Sequence, residues 1–166
     1  MAEFRYLNTS VEDGVGILQL NHPEVRNALG WELHEDIIAA LRAWEDDDSV
    51  SCVLFIGNEE YFCAGWRVDI LNTADDDDRR RFNDLALALM KAIYDFGKPS
   101  VAAVAGVAPG YGMDVANMCD ITVASIRAPA VVAIVIASSR LDEKCVNRVV
   151  MCTSAASATA AMVASE

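Results

Sequence analysis

The chain has 166 residues, 54% of them hydrophobic and 23% charged, which are ordinary values for one globular domain with a real core. A net charge of −12 argues against nucleic acid and anionic membrane surfaces as partners. The opening MAEFRYLNTS has no basic region followed by an apolar one, and no apolar stretch reaches the roughly 18 residues of a membrane span, so a cytoplasmic protein is expected.

There are five cysteines, an odd number with no C-x-x-C pair, so reduced thiols and no metal site are expected. The two histidines, His22 and His34, are too few and too far from a nucleophile to suggest a Cys-His or Ser-His site.

The chain opens as strand, turn, strand. Phe4, Tyr6 and Val11 alternate loosely, Asp13-Gly14 is a hairpin signal, and Val15 to Leu20 (VGILQL) is the second strand. NHPEVRNALG is a loop, punctuated by Asn-His-Pro and by Gly30. From Trp31 the pattern is helical, with Leu33, Ile37, Leu41 and Trp44 at spacings of three and four. Asp46, Asp47 and Asp48 oppose a helix C-terminus, so the helix stops before them.

Ser51 to Ile56 (SCVLFI) suits a buried parallel strand. Asp75 to Asp78 begin a second long helix, at whose positive end four acids are favourable. Its apolar stripe is Phe82, Leu85, Leu89, Ile93 and Phe96; Gly97 is the expected C-terminal cap, and Pro99 blocks continuation. The acidic run also admits a cation-site reading, against which stands the ordinary behaviour of charge runs as solvated helix faces. Ser100 to Ala105 is another buried strand. A glycine turn follows, then a short helix from about Gly112, then a strand from Asp120 to Ser125. The alternation predicts parallel strands with right-handed crossovers.

The glycine turn, GVAPGYGMD, holds three glycines and a proline in seven positions. A helix N-terminus presents unpaired amides and partial positive charge, which suit an anion or a developing oxyanion. Three known uses fail on spacing. Val115 stands where a dinucleotide fingerprint needs its third glycine, and Met113-Asp114 where a phosphate loop needs Lys-Ser/Thr. Tyr111 stands where a nucleophile elbow needs serine. An oxyanion site with the Asp114 carboxylate beside it survives. A second segment, EEYFCAGWRVDI (59–70), puts Ala64-Gly65 at a turn where small residues let a ligand approach the backbone. Each turn alone is also explained as simple punctuation between strand and loop.

Three segments together resemble the crotonase superfamily, the enoyl-CoA hydratase/isomerase group. NHPEVRNAL resembles its opening Asn-x-Pro-x-x-x-Asn-Ala-Leu loop, and YFCAGWRVDI its Phe-x-Ala-Gly loop. KPSVAAVAGVAPGYGMDVANMCDITVAS resembles the strand, glycine turn and Cys-Asp-Ile strand that carry the family's chemistry. The resemblance covers about residues 4–125 and stops near Ser125. It implies an α/β fold, a spiral of β-β-α units of the ClpP/crotonase kind, with an incomplete C-terminal part. The expected organisation is an acyl-CoA-binding core over 1–125 and an atypical Ala/Ser/Val-rich tail over 126–166.

The resemblance implies an acyl-CoA thioester as substrate, with coenzyme A entering as part of it and no permanently bound cofactor. The thioester oxygen becomes enolate-like and is held by two backbone amides, which by position are those of Trp66 and Tyr111. Asp114 falls where hydratases carry a catalytic glutamate and where dienoyl-CoA isomerases of the family carry Asp. The other reading of Asp114 is a cap on the first helical turn. Arg26, Ala28 and Ala64 match the places that hold the nucleotide and pantetheine, with Gly65 and Gly110 beside them. Arg26 would face an ADP phosphate, or simply pair with Glu24 or solvent. Family members are commonly trimers or hexamers, which implies a homo-oligomer.

Departures from the family pattern matter too. Tyr111 stands where glycine is usual, so its phenol is expected to narrow the pocket or add a hydrogen bond over the thioester. Family chains run to roughly 250 residues, whereas residues 126–166 hold no glycine and no aromatic side chain. The second catalytic carboxylate of hydratases has no counterpart there, and the tail is read as a shifted reading frame or a decayed end. The function expected is an enoyl-CoA hydratase or isomerase. The alternative is a truncated, non-catalytic relative that only binds CoA thioesters or a partner subunit. A small Rossmann-like nucleotide domain is the weakest reading.

Overall fold

The structure is a computed structural model that describes residues 4–124. The tail over 126–166, and every expectation placed on it, lies outside the described residues. Strand β1 (Leu7–Glu12) returns antiparallel as β2 (Val15–Leu20). Asp13 and Gly14 between them both have positive φ, 48° and 83°, the backbone of a tight hairpin whose twist matches its strands. A 3-10 turn at Pro23–Val25 leads to α1 (Trp31–Glu45). Then come β3 (Cys52–Ile56), α2 (Val68–Thr73), α3 (Asp76–Tyr94), β4 (Ser100–Val104), α4 (Tyr111–Met118) and β5 (Ile121–Ala124). The sheet runs β1-β2-β3-β4-β5 in chain order, and β2 through β5 are parallel, as the alternation of strand and helix predicts.

The central strands are apolar on both faces, and this explains their unbroken hydrophobic runs. Leu18, Val53, Phe55, Ala102 and Val104 point to the helices and pack with Leu33, Ile37 and Leu41 of α1 and Phe82, Leu89 and Ile93 of α3. Val15, Leu54, Val101 and Ile121 form a second cluster on the opposite face. Gly16 in β2 leaves room for the Trp44 indole. A Cβ there would lie 2.8 Å from the ring.

Helix ends follow the acids. α1 stops at Glu45, before the three aspartates. At the start of α3 the Asp75 carboxylate accepts from the Asp78 amide at 2.8 Å, an N-cap bond. Asp76, Asp77 and Asp78 pair with Arg79, Arg80 and Arg81 one turn on. The run is therefore a solvated helix start. Among the described residues no group of three or more His, Cys, Asp or Glu is placed to hold a metal. No described helix is long and apolar enough to cross a membrane.

Some expectations fail. Gly97 does not cap α3, whose C-cap is Asp95 with conventional αR backbone. The Gly97 amide donates instead to the Glu45 carboxylate at 3.0 Å, tying the ends of α1 and α3 together. The short helix α2 has no counterpart in the predicted elements. Its six residues (VDILNT) are too few for helical periodicity to emerge. Cys63 and Cys119 are free buried thiols.

The end of the sheet where the parallel strands begin, opposite the glycine turn, is locked by Ser100 and Asp120. The Ser100 amide and hydroxyl donate to Asp120 Oδ2 at 2.9 and 3.0 Å, and the Asp120 amide donates back to Ser100 Oγ at 3.0 Å. Both residues are buried. Asp120→Ala would strand a buried Ser100 amide, so urea denaturation is expected to show a loss of about 2–3 kcal/mol. Unchanged stability would mean that the staple contributes nothing.

Candidate active site

Three loops meet beyond the C-terminal ends of the parallel strands, and hydrogen bonds between their backbones stitch them together. The first, after β2, is shaped by Asn27. Its φ of 56° is left-handed, its Oδ1 accepts from the His22 amide at 2.8 Å, and its Nδ2 donates to the Phe62 carbonyl at 3.2 Å. It is 1% exposed, so those two bonds satisfy a buried amide while clamping the first loop to the second. Arg26 is left-handed as well, and its carbonyl accepts from the Ala64 amide at 3.0 Å.

The second loop follows β3. Leu29 pairs with Trp66 in a parallel bridge, with the Leu29 amide on the Gly65 carbonyl (2.7 Å) and the Arg67 amide on the Leu29 carbonyl (3.1 Å). That pattern uses the residues on either side of Trp66, so the Trp66 amide itself faces away from Leu29. The third loop follows β4 and joins the second through Phe62 N to Val107 O (2.9 Å) and Val107 N to Glu60 O (3.0 Å).

Two glycines let the second and third loops close on each other. A Cβ on Gly112 would lie 2.1 Å from the Cys63 carbonyl oxygen. A Cβ on Gly65, whose φ is 89°, would lie 2.9 Å from Pro109 O and 3.5 Å from the Tyr111 amide nitrogen. Gly110, with φ 53° and ψ −124°, turns the chain into α4, which begins at Tyr111 rather than Gly112. As the first residue of the helix, Tyr111 has an amide with no intrahelical acceptor.

Among the described residues, neither the Trp66 nor the Tyr111 amide has a hydrogen-bond acceptor. Both residues line one cleft of about 420 Å³ with Ala64, Gly65, Gly110 and Asp114. Six of the eight residues singled out in the sequence therefore share one cavity. Val68 and Pro109 complete its lining. Val68, 61% exposed, gave no signal in the sequence, because a single valine after Arg67 reads as strand or helix filler. Asp114 is exposed, one turn into α4, so its carboxylate sits at the positive end of that helix. Arg26 and Ala28 do not line the cleft. Ala28 is buried, while Arg26 is exposed at its flank and makes no ion pair with Glu24 or any other described residue.

The Tyr111 side chain departs from expectation. Its hydroxyl donates to the Ala86 carbonyl of α3 at 2.8 Å, so the phenol anchors α4 to α3 and adds no hydrogen bond over the cleft. Burial, with Cys63 and Asp114 nearby, raises its pKa and keeps it a neutral donor. Burial likewise pushes the Cys63 thiol up to about 12, which leaves it unreactive. Behind Trp66 and Tyr111 lies an aromatic cluster that periodicity alone does not reveal. Trp66 packs edge-on to Phe82 and Tyr111, and His34 packs on both of the same rings.

The sequence profile described as enoyl-CoA hydratase/isomerase matches residues 10–161. The chain is 36% identical over 122 residues to the 2,3-dehydroadipyl-CoA hydratase of Escherichia coli K12, covering 74% of this chain and 47% of that protein. It is 33% identical over 135 residues to the 1,2-epoxyphenylacetyl-CoA isomerase of the same organism, covering 77% and 50%. Among solved structures, an enoyl-CoA hydratase from Mycobacterium avium subsp. paratuberculosis superposes with a TM-score of 0.65 at 27% identity, covering 76% of this chain and 47% of that one. An enoyl-CoA hydratase from Bacillus anthracis reaches a TM-score of 0.72 at 22% identity over 75% and 49%, a likeness of fold alone. The five-stranded α/β sheet is thus of crotonase type. This chain belongs to the enoyl-CoA hydratase/isomerase family. It spans about half the length of the curated relatives it matches.

Two outcomes follow from the side chains around the cleft. Tyr111→Phe removes one buried hydrogen bond to Ala86 but keeps the amide, so thermal unfolding should show a loss of about 1 kcal/mol while ligand binding at the cleft persists. Burial lowers the pKa of both His22 and His34 from 6.5. The unfolded chain therefore takes up their protons first, and unfolding free energy measured against pH should fall as pH drops below about 6.5. His34→Leu should flatten that slope.

Proposed function

We propose that the cleft holds the acyl thioester of a coenzyme A substrate, with its carbonyl oxygen between the Trp66 and Tyr111 amides. The observation that carries this reading is the presence of two acceptor-free main-chain N–H groups in one cleft with one carboxylate. Membership of the hydratase/isomerase family supports it. In this reading Arg26, exposed at the flank, meets a CoA phosphate as a charge-assisted partner. Ala28 and Ala64 keep the pantetheine path narrow and smooth, and Gly65 and Gly110 shape the turns that aim the amides.

The chemistry follows from where charge develops. Attack of water on the β-carbon of an enoyl thioester, or removal of a proton next to the thioester, moves an electron pair onto the thioester oxygen. Each preorganised donor aimed at that oxygen contributes about 3–4 kcal/mol to the transition state. Asp114, as a carboxylate, takes the proton from water or carbon and returns one to carbon. Hydration and double-bond shift share this step, and the named relatives include both a hydratase and an isomerase.

A second reading rests on one observation. Asp114 is the one carboxylate among the described residues lining the cleft. A site with a single carboxylate suits binding of the thioester without its turnover. The family resemblance further implies a trimer or hexamer, which sedimentation would reveal.

Crotonyl-CoA separates the readings. Loss of the enoyl absorbance is expected with the wild-type chain, and Asp114→Asn should lower kcat about 10²- to 10⁴-fold with little change in KM. Equal rates in the two proteins would remove Asp114 from the chemistry. Binding by calorimetry without absorbance loss would favour the second reading, and no binding of any CoA thioester would overturn both.

A further inference from the structure

His34 is fully buried in α1, and its Nδ1 lies 2.6 Å from the Gly30 carbonyl oxygen. A carbonyl only accepts, so Nδ1 carries the proton and Nε2 presents a lone pair. That Nε2 is buried and has no hydrogen-bond partner among the described residues. The Trp66 Nε1–H, which can only donate, is also buried and without a partner there. The two rings share neighbours. His34 lies 5.2 Å from Phe82 and 5.6 Å from Tyr111, and Trp66 lies 5.7 and 5.3 Å from the same two rings, between centroids.

One unmet acceptor and one unmet donor, packed on the same pair of aromatic rings, make a complementary set. Buried polar groups are rarely left unpaired, and two in one cluster call for a partner. We infer that His34 Nε2 and Trp66 Nε1 form a subsite for a single hydroxyl oxygen, which donates to the imidazole and accepts from the indole. The chemistry of the pair excludes other classes. A carbonyl or ether oxygen would answer only the indole, and an ammonium only the imidazole. A carboxylate would set its charge against the imidazole lone pair, and burial holds that imidazole neutral.

Two sources supply such an oxygen, a trapped water and a hydroxyl on a bound acyl chain. Trp66 connects them, since the residue lines the cleft while its indole Nε1 is buried. The acyl-chain source rests on the thioester reading above; the trapped water does not.

Nitrogen-15 labelling of the tryptophan and histidine rings tests the subsite in the intact chain, with Trp66→Phe used to assign the Trp66 indole resonance. In the ligand-free protein the Trp66 indole proton should exchange magnetisation with water, and His34 Nε2 should show the shift of a hydrogen-bonded acceptor. Addition of butanoyl-CoA and of its 3-hydroxy and 4-hydroxy derivatives then identifies the source. If only a hydroxylated ligand abolishes the exchange with water, and binds about 10-fold more tightly than butanoyl-CoA with the gap closed in Trp66→Phe, the oxygen belongs to the acyl chain. Exchange with water that every ligand leaves unchanged assigns it to a trapped water. An indole proton that exchanges nothing with water, and does not respond to any hydroxylated ligand, overturns the subsite. Failure of all CoA thioesters to bind would sink the thioester reading, while the exchange with water in the free protein still decides the subsite.

Discussion

The contact on which the site depends is backbone against backbone, where Gly112 lies on the Cys63 carbonyl. No side chain fits between them, since a Cβ would sit 2.1 Å from that oxygen. Gly65 makes the reciprocal approach to Pro109 from the other loop. This mutual closeness brings two chain segments more than forty positions apart into one cleft wall. Any residue larger than glycine at either point would push the loops apart and separate the Trp66 and Tyr111 amides. Loss of backbone entropy at such glycines is a real cost, offset here by the cross-loop hydrogen bonds that surround them.

The sheet below supplies rigidity. Its parallel strands end on one side, and the loops leave from those ends, so their starting points are held by the ladder. Asn27 then fixes the first loop to the second, and the Val107 bridge fixes the second to the third. The Ser100–Asp120 staple holds the start of β4 against the residue that precedes β5, at the end of the sheet away from the glycine turn. In the proposed reading the site is built from amides, which have no rotamers to adjust, so its geometry would be as good as the backbone that carries it.

Much of this was legible in the sequence, and the reasons are local. Asp13-Gly14 specified a hairpin because glycine reaches positive φ freely and aspartate tolerates it better than most residues. The parallel strands announced themselves by apolar runs such as CVLFI, which only burial on both faces allows. Spacing in the glycine turn singles out an oxyanion-type turn with Asp114 beside it, while the Trp66 and Tyr111 amides come from the family resemblance; the structure places all three residues on one cleft. What stayed hidden was non-local. Gly97 reads as a helix cap by its position after Phe96, but its amide is taken by Glu45, 52 residues earlier. The direction of the Tyr111 phenol depends on a carbonyl of α3, 25 residues away, and no spacing rule encodes it. The His34–Phe82–Trp66–Tyr111 cluster likewise gathers residues from four separate segments.

That cluster gives Trp66 and Tyr111 two tasks each. Both residues line the cleft and their rings pack on the aromatic cluster behind it, with the Tyr111 hydroxyl tied to α3. A bulky residue at the start of α4, where glycine would suffice for the amide, thus becomes a strut that sets where the helix begins. Close packing tolerates little displacement, so the rings locate the amides as firmly as the glycines bring them together. Coupling of this kind predicts that core and cleft are not independent. A cavity opened at Phe82, which does not line the cleft, would loosen both rings and with them the backbone that carries them. Conversely, a ligand that gripped the two amides would be felt first in the aromatic cluster, the nearest packed surface to which they are covalently joined.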